Sequence, residues 1–253
     1  MAKGFKHGAG GVITNKVPKF TYSGDYQFID YGDKNWRIKL LTSGNLVFTS
    51  LGNAADGIDV FCVGGGASGG SGYSEVSDTT YHQSGDGGGG GYTRTERLTP
   101  TKNLEYPITI GAGGVADQTA GSTPTNGGDT SAFGIVASGG QGINGGSGGG
   151  AGGSWYYGGM GGGNTDGATN GGDSLGKGQI SKPGPNGETG NTKEFGEETG
   201  ILYSKGGDGA GYKEVVTNSA ANTGNGGDSG YYNQTTANGG SGIVVIRNHR
   251  EVS

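Results

Sequence analysis

The chain has 253 residues, 64 of them glycine, and a net charge of −5. Only 29% of residues are hydrophobic, so a side-chain core cannot span the whole chain, and mixed charges without a basic run argue against nucleic acid as the main partner. No apolar stretch reaches the roughly 18 residues that a membrane span needs.

Residues 1–17 are a polar, glycine-bearing leader without an apolar h-region, so no secretory signal is expected. Strand signals follow in quick succession. Lys19 to Tyr22 and Tyr26 to Asp30 are short, aromatic and separated by the turn Ser23-Gly24-Asp25. Trp36 to Leu41 alternates apolar and polar residues. Ser43-Gly44-Asn45 turns the chain, and Leu46 to Thr49 is expected to answer as a hairpin partner. Ile58 to Val63 is the most apolar strand of this half, with Cys62, the single cysteine, expected as a buried and inert thiol. Later strands lie between glycine tracts: Tyr92 to Leu98, Leu104 to Ile110, Thr130 to Ser138 and Gly242 to Arg247. Pro107 marks the second of these as an edge or a bulge. No segment sustains a 3.6-residue period, so almost no helix is expected. The buried C-terminal strand needs a partner, and the best partners lie in residues 19–63. The sheet therefore closes across the glycine-rich region, which becomes an insertion in a β-sandwich and not a free tail.

Glycine is distributed unevenly. Nine glycines fall in residues 1–63, 55 in residues 64–242 and none later. Fixing a glycine costs about 0.5–1 kcal/mol more than fixing an alanine, so the block either stays disordered or recovers the cost by packing backbone on backbone. Extended left-handed helices with three residues per turn can do this, because their amides and carbonyls point sideways to neighbours. The block lacks collagen's strict Gly-X-Y period. Its tracts are short and separated by Asn, Asp, Ser and Pro, a pattern of rods with reversals.

The string Asn-Gly-Gly-Asp occurs three times, at Asn126 to Asp129, Asn170 to Asp173 and Asn225 to Asp228, with a near copy from Lys205 to Asp208. These residues are expected to be structural reversals. Calcium-binding β-rolls need tandem Gly-Gly-x-Gly-x-Asp nonapeptides, whereas these repeats lie 44 and 55 residues apart. No metal cluster and no cofactor are expected. Two Gly-x-Ser-x-Gly strings, around Ser68 and Ser147, and a near P-loop at residues 171–178 are readily produced by chance in this composition; the first follows a strand but has no helix signal behind it and no supporting histidine, and the last has no strand before it and Gly178 where Ser or Thr should stand. No enzymatic activity is expected. Trp155, Tyr156, Tyr157 and Met160 sit between glycine tracts, and Tyr231 and Tyr232 sit in another reversal. Such rings either bind a partner or cap the rods.

The succession Val63 to Gly66, Gly88 to Tyr92, Thr109 to Gly114 and Gly239 to Arg247 resembles the glycine-rich domains of bacteriophage tail proteins. It is similar, too, to the glycine-rich extracellular domain of anaplastic lymphoma kinase receptors and to adhesins at phage tail-fibre tips. The resemblance implies an all-β, jelly-roll-like β-sandwich over residues 18–247, with an inserted bundle of polyglycine helices at about 64–242 and a short tail at 248–253. It implies a virion protein made in the host cytoplasm, whose leader docks to other tail proteins. Its loops 154–160 and 229–235 would meet a host-surface protein or glycan, and a homo-oligomer is compatible with this. The rival readings are a non-receptor virion component, such as a capsid decoration or tail-assembly protein, and a glycine-rich ice-binding protein.

Overall fold

Alternation along Trp36-Arg37-Ile38-Lys39-Leu40 sends Trp36, Ile38 and Leu40 into a fully buried core. The computed structural model describes residues 17–32, 35–76, 80–83, 85–142, 145, 175–176, 182–183, 192–209, 215–231 and 234–249. Its strands are β1 (Lys19–Tyr22), β2 (Tyr26–Asp30), β3 (Trp36–Leu40), β4 (Gly44–Ser50), β5 (Ile58–Val63), β6 (Tyr73–Val76), β7 (Thr80–Gln83) and β8 (Thr93–Leu98). They continue with β9 (Glu105–Ile108), β10 (Thr130–Ala132), β11 (Ile135–Ala137), β12 (Leu175–Gly176), β13 (Lys182–Pro183), β14 (Thr192–Lys193), β15 (Leu202–Tyr203) and β16 (Ile243–Asn248). The only helical turns among the described residues are 3₁₀ segments at Gly52–Asp56 and Glu194–Gly196.

The fold is all-β. An antiparallel sheet in the order β2-β3-β16-β5-β8 faces a second sheet, β1-β4-β9. Between them pack Trp36, Ile38, Val60, Cys62, Val244 and Ile246 from the first sheet and Leu46, Phe48 and Ile108 from the second. Burial pushes the Cys62 thiol up to about 12, with the Glu96 carboxylate adding to the shift, so the thiol stays protonated at neutral pH. The last strand, β16, sits between β3 and β5, closing the sheet across the whole glycine region as expected. On the outer face of this sheet, Phe61, Val63, Ile243 and Val245 are covered by Phe195 and Tyr203. Burial on both faces explains the apolar runs Val60-Phe61-Cys62-Val63 in β5 and Ile243-Val244-Val245-Ile246 in β16.

Two expectations about the strands are corrected. β3 and β4 do not form a hairpin: β3 pairs with β2 and β16, and β4 with β1 and β9. The turn at Ser43 carries the chain from one sheet to the other, so both apolar faces enter the same core. Residues 130–138 are not one strand but the hairpin β10–β11. Phe133 and Gly134 both have positive φ, at 53° and 80°, which is the geometry of a two-residue hairpin turn that matches strand twist.

The glycine tracts continue the strands as straight rods. In the rod after β5, residues 64–72, no glycine has positive φ, and its amides find partners with a period of three. Gly64, Ala67 and Gly70 donate to Tyr92, Gly89 and Asp86; Gly65, Ser68 and Ser71 donate to Gly128, Thr125 and Ser122; Gly66 and Gly69 donate to Gly240 and Ala237. This is a threefold helix with three acceptor rods, all antiparallel to it. Its carbonyls accept from three further rods: Gly65 from Gly140, Gly66 from Gly114, and Ala67 and Gly70 from Gly227 and Gly230.

The six surrounding rods also bond to one another. Going round, residues 85–92, 138–142, 122–128, 111–114, 237–242 and 224–230 are joined by the pairs Gly89–Gly142, Gly127–Gly140, Gly128–Ala112, Gly239–Gly114, Gly240–Asn225 and Gly88–Gly227. The result is a hexagon of alternating polarity around a buried central rod. Glycine is required by distance. A Cβ on Gly64, Gly65 or Gly66 would lie 2.0 Å from the carbonyl oxygen of Ser138, Ala112 or Asn225 respectively, one on each of three neighbouring rods. A further rod, residues 204–208, lies in the groove between 85–92 and 224–230 through Gly207–Gly88 and Gly226–Lys205 bonds.

The two described Asn-Gly-Gly-Asp strings, Asn126 to Asp129 and Asn225 to Asp228, are placed inside straight rods and not at reversals. None of Asn126, Asp129, Asp208, Asn225 and Asp228 has positive φ. On a threefold helix, residues three apart share a face, so Asn and Asp point the same way while the two glycines pack inward. Asn126 and Asp129 accept the amides of Gly142 and Gly139, each at 2.9 Å. Asn225 and Asp228 accept those of Lys205 and Asp208, at 2.9 and 2.7 Å. Each of these two strings is a two-point clasp that satisfies amides of a neighbouring rod. Lys205 and Asp208 are themselves paired across one turn at 3.3 Å. Asn170 and Asp173 lie outside the described residues.

Asn225→Ala should therefore cost about 1 kcal/mol and speed exchange of the Lys205 amide, because that donor loses its acceptor. Asn225→Asp keeps an acceptor oxygen and should stay close to wild type. Equal denaturation midpoints for all three proteins would dismiss the clasp.

A buried charge cluster holds residues 192–203 to the sheet. Arg247, with its side chain 2% exposed, bonds Asp59 at 3.0 Å through Nε and Glu197 through Nη1, and its guanidinium stands 4.0 Å from the centre of the Phe195 ring. Asp59 also meets His249 Nδ1 at 2.6 Å. Glu194 receives Arg37 Nε at 2.9 Å and the Tyr203 hydroxyl at 3.2 Å. Burial first, and then Glu194, push the Tyr203 phenol up, so it remains a donor at neutral pH.

Candidate functional site

Because the rods extend the strands, the sandwich occupies one end of the bundle. At the other end the chain reverses between rods, through the pair β6–β7 after Gly72, through residues 115–121 and between Tyr231 and Thr236. Side chains fix these reversals. Ser71 and Ser122 hydroxyls both donate to the Asp117 carbonyl, at 2.7 and 2.6 Å. The Asp117 carboxylate accepts the Thr119 amide at 2.8 Å, and this backbone bond, followed by the Thr119 side chain, holds it below the usual carboxylate range. Gln118 acts as a piece of backbone: its Nε2 donates to the Thr236 carbonyl at 3.1 Å and its Oε1 accepts the Thr236 amide at 3.0 Å.

Two open clefts flank that Gln118–Thr236 bridge. One, of about 300 Å³, is lined by Ser71, Gly72, Gln118, Ala120, Gln234 and Thr235. The second, of about 510 Å³, shares Gln118 and Thr235 and adds Val216, Thr217, Asn218, Thr236 and Asn238. Among the described residues neither is lined by a charged side chain. The side chains of Thr217, Gln234 and Thr235 hydrogen-bond to no other described residue.

Of the residues expected at a binding surface, Tyr231 is placed in the interior at 5% exposure, where it packs and cannot meet a partner directly. Trp155, Tyr156, Tyr157, Met160 and Tyr232 lie outside the described residues. At Gly142, whose carbonyl accepts the Gly89 amide, φ is +59°. Ser68 is fully buried in the central rod; its hydroxyl accepts the Thr125 amide at 2.9 Å and lies 3.0 Å from Thr125 Oγ1. Gln234 and Thr235 fall in the expected loop 229–235. Ser71, Gln118, Thr217, Asn218 and Asn238 were not singled out in the sequence, where neutral polar residues among glycines carry no pattern.

A family model described as a glycine-rich domain matches residues 42–249. The matched span runs from the end of β3 through β16, so it takes in every rod but leaves β1 to β3 outside. No curated protein matches the chain at a significant level. With a match over most of its length, and a bundle that explains why glycine is needed, the chain belongs to the glycine-rich domain family.

Proposed function

We propose that this protein is a bacteriophage virion component, a tail-tip or tail-fibre adhesin that attaches to a bacterial surface. The observation that carries the reading is the hexagonal bundle. It extends the sandwich by a central rod of nine residues, about 28 Å at 3.1 Å per residue, and ends in chain reversals fixed by hydrogen bonds. Such a shaft holds short reversals in fixed relative positions, and rigid presentation lowers the ordering cost of binding. The resemblance of the strand-and-glycine junctions to phage tail proteins points the same way. The leader would join the sandwich end to other tail proteins.

The test is direct binding of the purified, fluorescently labelled full chain to a panel of bacterial strains. An adhesin should label some strains and not others, saturably, and unlabelled protein should displace it. Absence of saturable binding to every strain, with the folded state verified, would favour the rival reading of a purely structural virion component.

A further inference from the structure

We infer that the two clefts beside the Gln118–Thr236 bridge form one binding trough for a neutral carbohydrate chain. The biological setting of this inference rests on the adhesin reading; its ligand chemistry rests on the trough alone. The clefts share Gln118 and Thr235, so a ligand longer than one ring can lie across both. Their volumes fall within the range of small-ligand sites.

The walls offer donors and acceptors in neutral pairs. Asn238 Oδ1 accepts the Ala116 amide at 2.7 Å, and Asn218 Oδ1 accepts the Asn238 amide at 2.9 Å. A backbone N–H only donates, so the atom facing it must be the oxygen, and this fixes both carboxamides. Each is left with an NH₂ group that bonds to no other described residue, beside the second cleft. The Thr217 and Thr235 hydroxyls and the Gln234 carboxamide add groups that both donate and accept. Neighbouring hydroxyls on a sugar ring need this mixture, and a site built to bond hydroxyls discriminates strongly against ligands that lack them.

Other ligand classes fit less well. An anion is held most strongly by Lys or Arg, and the described lining has neither. An added peptide strand needs an unpaired main-chain edge, whereas the rod amides at Gly70, Ser71, Ala237 and Gly239 already have backbone partners. A lipid needs a broad apolar wall. Val216 and Ala120 supply only small apolar patches, suited to the C–H face of a ring. Because the walls are held by the rods, little ordering is required on binding.

The experiment uses the purified full chain on an array of neutral and acidic oligosaccharides. Binding should occur on neutral glycans. Thr235→Trp, which fills the wall common to both clefts, should weaken it at least tenfold with an unchanged unfolding midpoint. If that variant does not fold, the milder pair Thr217→Ala with Gln234→Ala, both exposed or half-exposed, should weaken binding at least threefold. No binding to any neutral glycan, a preference for acidic glycans, or wild-type affinity in the folded variants would overturn the inference. Cells provide the separate check on the adhesin reading. Attachment that survives periodate oxidation of cell-surface diols but is lost on protease treatment would retain the adhesin and dismiss the carbohydrate trough. Array binding with no attachment to any cell would do the reverse.

Discussion

Replacing Gly66 with alanine should destabilise the protein by more than about 3 kcal/mol, enough to leave a marginal fold largely unfolded. The added Cβ would lie 2.0 Å from the Asn225 carbonyl oxygen, 2.3 Å from its carbon and 2.7 Å from the Gly226 nitrogen. These are backbone atoms, so no side chain can swing aside. Asn225 is itself held, since its carbonyl accepts Gly240 and its carboxamide accepts Lys205. Extended φ suits alanine well, so the penalty is one of space alone. Ala112→Ser on a neighbouring rod is the control. Ala112 is exposed, and the change should stay within about 0.5 kcal/mol. Both numbers come from urea denaturation followed by circular dichroism. A midpoint for Gly66→Ala equal to that of Ala112→Ser would mean that the rods do not depend on close backbone approach.

Arg247→Met should cost about 3–5 kcal/mol, the usual penalty for removing one partner from a buried ion cluster. The guanidinium is shared by Asp59 and Glu197 and rests on Phe195, so its loss leaves the buried Asp59 carboxylate without its main counter-charge and the half-buried Glu197 with Arg37 alone. Methionine replaces the apolar stem but none of the donors. Arg247→Lys should recover little, because Asp59 and Glu197 are reached by different nitrogens of one planar fork. The damage should be local as well as global: amides of residues 192–203 should exchange faster than those of the central rod under conditions where the rest stays folded. A loss below about 1 kcal/mol, with unchanged exchange in that segment, would show that the apolar contacts of Phe195 and Tyr203 alone hold it.

Much of the sandwich was legible because its signals are local. β1, β2 and β5 begin and end where their turn residues and apolar runs place them, and the partners expected for β16 within residues 19–63 are β3 and β5. Sheet membership was not legible. Ser43-Gly44-Asn45 reads equally as a hairpin turn or as a crossing between sheets, and only the packing of Leu46 and Phe48 opposite Trp36 decides it. The bundle was partly legible. Glycine spacing announced rods, but the repeated Asn-Gly-Gly-Asp string read as a reversal, because the meaning of its three-residue spacing lies in backbone azimuth, which hydrophobic patterning does not encode. Neighbour choice in the hexagon is set by the direction in which each strand enters it. Of the trough only the loop that holds Gln234 and Thr235 was legible: Ser71, Gln118 and Thr217 come from three other parts of the chain and have ordinary polar side chains.

A bundle whose interior is peptide rather than hydrocarbon also changes how stability depends on temperature. Exposing apolar surface raises the heat capacity by about 0.45 cal/K/mol per Å², whereas exposing polar surface lowers it by about 0.26. In the hexagon around residues 64–72 the groups released on unfolding are largely amides and carbonyls, so the two contributions offset each other. The sandwich alone then supplies most of the curvature of the stability curve. Warming and cooling alter the balance for the rods less than for an oily core of equal length, and the tip keeps its shape over a wider span of temperature than its small stock of apolar side chains would suggest.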